Sequence, residues 1–228
     1  MNENFALNYL LEPSSYALSF LFLLFYTRKN KQVKIRVLVV YYFIATLLMI
    51  RAVYVESNIE LYNLLCLLTF VCLGTYFYYT YEVKWKKRLV IILCLLHGVY
   101  FVSYNLVLPP ALLFDSAGHV FLSIGIVIMT FLYMHQILTN VTEEPLSYNF
   151  DFWFVSTQLI YHVGAFGIFL TYRYLTQRIL PTDLYSHDNR VLIGNVFVVH
   201  NVLLFLTSLL LSIAILWISF RRKSPSSL

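Results

Sequence analysis

Three histidines, His97, His162 and His200, each fall inside a long apolar run of this 228-residue chain. Imidazoles in that setting can bind a metal or haem, answer to protons, or hydrogen-bond between packed helices. Spacing separates these chemistries. No His-x-x-x-His or Glu-x-x-His pair places two ligands on one helical face, and each histidine comes from a different run. No carboxylate stands near His162 at mid-run, where a catalytic zinc would want one. The set His97, His162 and His200 is kept only as an alternative metal or haem site. No cofactor is expected, and no residue is assigned a catalytic role. The expectation is a non-enzymatic polar pocket built on Tyr161, His162, His200 and Asn201, with His97, Tyr100, Gln158 and Asn195 behind them. Hydrogen bonds between helices in lipid contribute only about 0.6–2 kcal/mol each, so these groups shape a pocket more than they hold a fold.

The elements that must position them are readable from composition. The chain is 60% hydrophobic and only 12% charged, where soluble domains average about 25% charged residues. Seven apolar runs cover residues 6–27, 37–55, 60–81, 89–108, 117–140, 151–175 and 191–220. About 20 apolar residues cross a bilayer as a helix. The fold class is therefore all-α: one polytopic domain, residues 1–228, folded as a seven-transmembrane-helix bundle. Pro13 interrupts the first run and predicts a kink or an interfacial outer third. Pro109-Pro110 stops the fourth. The stretch Thr176 to Arg190 is polar and is expected to be a loop holding Pro181.

Charge sets the orientation. Arg28 to Arg36, Lys84 to Arg88, and Arg221 to Lys223 hold twelve of the sixteen Lys and Arg residues. With the N-terminus outside and the C-terminus cytoplasmic, all twelve lie inside, as the positive-inside rule requires. The same distribution removes a nucleic-acid reading of the +5 net charge. It fits a membrane location, with the lipid bilayer as first partner. Residues 1–13 carry Glu3 and Glu12 and no basic residue, unlike a cleaved secretory leader, so the first run is expected to stay as a span. Asn140-Val141-Thr142 matches a glycosylation sequon but falls on the expected cytoplasmic side. Arg51, near the end of the second run, is expected to snorkel or to pair with Glu56 or Glu60. Tyr76, Tyr78, Tyr79, Tyr81 and Trp85 read as an interfacial aromatic belt. Cys66, Cys72 and Cys94 lie inside spans and read as small packing residues.

Polar residues recur at helical spacing in the last four runs. His97, Tyr100 and Tyr104 share a face with Cys94. His119, Ser123, Thr130 and Tyr133 share another. Asp151, Gln158, Tyr161 and His162 make a third. In the seventh run Gly194, Asn201, Ser208, Ser212 and Ser219 form a seam from which His200 points away. One-sided polarity in lipid means that these faces meet each other, so the pocket is expected among helices 4 to 7. Known seven-helix chemistries do not fit. No span interior carries the Lys of a retinal protein, and no Asn-Pro-x-x-Tyr ends the seventh run. The Ser, Asp and paired-His metal set of seven-helix hydrolases is missing, and no repeat relates runs 1–3 to 5–7.

Two stretches carry a resemblance. Glu144-Pro145, Phe152-Trp153-Phe154 and Leu159-Ile160-Tyr161-His162-Val163-Gly164 resemble a Pro…Phe-Trp-Ile…Leu-Ile-Tyr-x-x-Gly pattern. With His200-Asn201 opening the seventh run, about eighty C-terminal residues resemble an uncharacterised bacterial family of small seven-helix membrane proteins. That family is similar to the membrane sensor region of some histidine kinases. The resemblance implies a sensor-like module of the bacterial inner membrane, for a small ligand or partner protein. Because the chain ends eight residues after Phe220 without kinase segments, signalling is expected to need a separate protein such as a histidine kinase. A small-solute transporter is the alternative, and a membrane-embedded metal or haem enzyme the next.

Overall fold

The computed structural model describes residues 3–28, 30–55, 58–107, 114–140, 145–183 and 187–221, with side chains described from residue 10 except at 105–107, 176–183, 187–190 and 193. Seven α-helices account for nearly all of them: α1 (Glu3–Thr27), α2 (Val33–Tyr54), α3 (Ile59–Thr80), α4 (Lys84–Val107), α5 (Ser116–Thr139), α6 (Phe150–Asp183) and α7 (His187–Arg221). A short 3-10 turn, Leu146–Tyr148, precedes α6, and no strand occurs among the described residues. Each helix is long and apolar enough to cross a membrane. Large apolar side chains face outward on all seven, for example Leu21, Val40, Val71, Leu95, Phe131, Val163 and Ile213. Serines, threonines, histidines and one glutamate are buried inside. This is a multi-pass membrane protein, apolar outside and selectively polar within.

Packing follows a closed path: α1 on α2, α2 on α3, α3 on α5, α5 on α6, α6 on α7, and α7 back on α1. α4 stands outside this six-helix ring and packs on α3 and α5. Its span is 11% buried, against 50% for α3, α5 and α7. Because successive spans alternate in direction, neighbours in the ring are antiparallel except at two seams, α3 beside α5 and α7 beside α1. The ring is thus two three-helix units of the same sense, α1–α3 and α5–α7, with α4 as the return stroke. Close approach at the walls needs small residues. A Cβ on Gly125 of α5 would lie 2.6 Å from the Phe70 ring of α3, and one on Gly164 of α6 would lie 2.4 Å from Leu203 of α7.

Several boundaries differ from the sequence expectation. The stretch from Thr176 to Arg190 is helical on both sides of residues 184–186, so Pro181 sits in the last turn of α6. Polar composition marks where the bilayer ends, not where a helix ends. α1 runs unbroken through Pro13, and the Ser15 hydroxyl donates to the Leu11 carbonyl at 2.6 Å beside the missing proline N–H. α2 and α4 start earlier than expected and include Lys34 and Lys86. Lys86 is buried rather than part of a loop. It donates to the Leu132 carbonyl of α5 at 2.9 Å and lies over the Tyr81 ring. Tyr78, Tyr79 and Trp85 are exposed as a belt requires, but Tyr76 and Tyr81 are buried. The Tyr81 hydroxyl donates to the Met129 carbonyl. Arg51 is exposed. Lys29, Glu56, Pro109, Pro110, Val141 to Glu144, Arg222 and Lys223 lie outside the described residues, as do the side chains of Arg178, Asp183, His187, Asp188 and Arg190.

The end of the bundle opposite the N-terminus is tied together by a charged joint. Lys34 of α2 pairs with Asp151 of α6, and the Tyr76 hydroxyl of α3 donates to the other Asp151 oxygen at 2.7 Å. Stacked Tyr26, Phe150 and Phe154 lie beneath it. At the N-terminal end, Asp115 caps α5 by accepting the Gly118 N–H at 2.8 Å.

Candidate functional site

Helices α1, α2, α3, α5, α6 and α7 enclose one cavity that runs from the N-terminal end of the ring toward its middle. It offers about 40 Å³ to the centres of water-sized molecules, room for about three waters at ~10–15 Å³ each. α1 supplies Glu12 and Tyr16, four residues and hence about one turn apart. α2 supplies Tyr41 and Tyr42. α3 supplies Tyr62, Cys66 and Thr69. His119 comes from the first turn of α5. Gln158, Tyr161 and His162 come from the middle of α6, and His200, Thr207 and Ser208 from α7. At the N-terminal end the Phe114 ring meets those of Phe169 and Phe197 at 5.8 and 5.7 Å and roofs the cavity.

Most of these groups are already paired across helices. The Tyr62 hydroxyl donates to Glu12 Oε2 at 2.6 Å, which gives the buried carboxyl a partner from α3. Tyr41 and Thr69 share a bond of 3.0 Å, and Gln158 Nε2 donates to the Tyr42 hydroxyl at 3.4 Å. His200 lies 3.2 Å from Asn201 Oδ1 through Nδ1 and 2.8 Å from the Tyr161 hydroxyl through Nε2. Since an amide oxygen can only accept, Nδ1 carries the proton and Nε2 accepts from Tyr161. His162 is different. It is 1% exposed, and neither ring nitrogen meets a protein partner. Nε2 of His119 is likewise unpartnered. Buried polar atoms are nearly always satisfied, so orphans on one cavity wall point to something that the cavity receives.

The eight expected pocket residues separate into three groups. Tyr161, His162, His200 and Gln158 line the cavity, and Asn201 sits behind His200. His200 was expected to turn from the α7 seam. It is buried along with Asn201, Ser208, Ser212 and Ser219, because α7 packs on both α1 and α6 and so buries a wide sector. Asn195 is exposed; five residues from His200, it lies about 140° around the helix. His97 and Tyr100 belong to α4, which contributes nothing to the cavity wall. The enclosure is therefore not confined to helices 4 to 7: α5, α6 and α7 share it with α1, α2 and α3. α4 instead spends its polar stripe on packing. His97 stacks on Phe70 at 4.5 Å and meets Cys66 Sγ at 3.8 Å. Tyr100 donates to Asp115 Oδ1 at 2.8 Å, and the Asp115 N–H donates to Asn63 at 3.2 Å, joining α4, α5 and α3. Burial raises the Asp115 carboxyl above its ordinary range, against the pull of the Gly118 N–H, the Tyr100 hydroxyl and Arg173.

The metal alternative is not assembled. Among the described residues no three His, Cys, Asp or Glu side chains converge as a metal would need, and His97 lies off the cavity that His162 and His200 line. The Cys66–His97 contact lacks the third group that orients a catalytic base, because His97 Nδ1 has no partner. Glu12, Tyr16 and Tyr62 are among the site residues that the sequence reading did not single out as pocket residues. Their signal was available: a carboxylate and two tyrosines, Glu12, Tyr16 and Tyr62, standing inside otherwise apolar helices.

Fold and site together define a class, a multi-pass α-helical membrane protein with a polar internal cavity. No family model, no curated protein and no solved structure matches the chain.

Proposed function

We infer that this chain is a receptor-like membrane module that binds a small polar ligand in the six-helix ring. The observation that carries this reading is His162, buried on the cavity wall with both ring nitrogens unpartnered. Buried atoms at His97, Ser123 and Gln136 are orphaned singly and away from the cavity, whereas His162 has both nitrogens orphaned on its wall. The charge bias of the loops supports an outside N-terminus, so the cavity serves the outer half of a bacterial inner membrane. The charged joint at Lys34, Asp151 and Tyr76 then faces the cytoplasm, where a separate signalling protein such as a histidine kinase would read it. Thermal unfolding of the purified chain against a panel of small polar solutes tests the reading. At least one solute class raises the melting temperature saturably, and His162→Leu abolishes the rise. A wild-type protein indifferent to every solute refutes it. A C-terminal reporter active only in the cytoplasm checks the orientation.

One observation favours a second reading, a small-solute permease. Two three-helix units of the same sense with a cavity between them match the placement of substrate sites in transporters built from parallel repeats. Solute uptake into proteoliposomes separates the two, since a receptor gives none.

A further inference from the structure

We propose that the ligand is a small organic cation, an ammonium group bearing one to four carbons. This rests on the receptor reading and names its ligand class. Of the cavity's lining residues, Glu12 is the only one carrying a carboxyl, and none is a lysine or arginine. One turn below Glu12, the Tyr16 ring meets Tyr41 and Tyr42 at 6.4 and 6.2 Å, and those two rings meet at 4.8 Å. Aromatic faces attract a cation through their quadrupoles, most strongly where water is excluded. Across the cavity His162 adds an unpartnered imidazole, whose lone pair accepts an ammonium N–H. An anion would meet the Glu12 carboxyl and no lysine or arginine to balance its charge. An apolar solute would leave both His162 nitrogens without partners. Room for about three waters holds roughly five non-hydrogen atoms, the size of trimethylammonium or ethanolammonium.

Calorimetry and thermal unfolding of the full chain in detergent or nanodiscs, at constant ionic strength, provide the test. The probes are the chlorides of methylammonium, trimethylammonium and ethanolammonium, tert-butanol as the neutral shape mimic, and sodium acetate. The ammonium salts bind saturably, and tert-butanol and acetate do not. Glu12→Gln keeps an acceptor for Tyr62 and weakens binding at least about tenfold. Tyr16→Phe keeps the ring face and retains binding, whereas Tyr16→Leu loses it; this pair separates a loss of recognition from a loss of fold. Equal binding of tert-butanol and trimethylammonium, or ammonium binding unchanged in both Glu12→Gln and Tyr16→Leu, overturns the inference. If a neutral or anionic probe alone binds in a His162-dependent way, the receptor reading stands and the cation falls. If no probe binds, both fall.

Discussion

Removing the joint between α2 and α6 is the most informative perturbation of this fold. The Lys34 and Asp151 side chains are 16% and 18% exposed, so the pair is neither a surface bridge nor a fully buried one. Exposed pairs contribute about 0.2–1 kcal/mol, and breaking a buried pair costs about 3–5 kcal/mol. Lys34→Met leaves the Asp151 carboxylate with the Tyr76 hydroxyl as its side-chain donor, and a loss of about 2–3 kcal/mol follows from its partial burial. Asp151→Asn costs less, about 1–2 kcal/mol. The amide oxygen still accepts from Tyr76, and the lysine stem lets its ammonium reach water. The double variant pays for the missing contact once, so it is less destabilised than the sum of the singles by about 1–2 kcal/mol. Reversible unfolding in mixed micelles of rising dodecyl sulfate, followed by tryptophan fluorescence, measures all four states. Single effects that add to within about 0.5 kcal/mol would show that the two charges do not feel each other and would refute the joint.

Three further outcomes are expected. Gly125→Ala pushes a methyl to within 2.6 Å of the Phe70 ring and lowers stability by about 1–3 kcal/mol; Gly167→Ala, which meets nothing within 4 Å, is neutral or stabilising by up to about 1 kcal/mol. Paired melting curves of the two variants check this. The folded Asp115 pKa lies above its unfolded value, so its contribution is fully present below the unfolded pKa and lost as pH rises through the folded one. Wild type therefore gains stability relative to Asp115→Asn as pH falls from about 7 toward about 4, and a constant difference between the two refutes the shift. Nitrogen-15 spectra of labelled histidine show His200 protonated at Nδ1, and Asn201→Leu, which deletes the acceptor, erodes that preference.

The seven spans were legible because the bilayer imposes one simple rule, and long uncharged runs between basic clusters satisfy it. The inward turn of Gln158, His162 and Ser208 was legible for the same reason, since lipid offers no partner to a polar face. Which helices form the ring was not. α4 is apolar enough to cross a membrane and carries its own polar stripe, yet His97 and Tyr100 bond to α3 and α5 from outside. Periodicity says that a face is buried, not against what. Glu12 escaped because a carboxylate near a chain terminus reads as a solvated end. Only the tertiary fold brings Tyr62 from α3 to meet it. Lys86 escaped likewise, since a basic cluster reads as an orientation signal, and nothing local says that one of its members reaches the Leu132 carbonyl.

α4 has a consequence for biogenesis. The wall of the ring needs six helices, and an uninterrupted six would enter the bilayer with the second triplet upside down relative to the first. α4 corrects that parity at the cost of one lipid-facing crossing. A chain severed within α4 would still encode every cavity-lining side chain on two fragments. Such halves would assemble only if the downstream one entered the bilayer in the same sense as the upstream one.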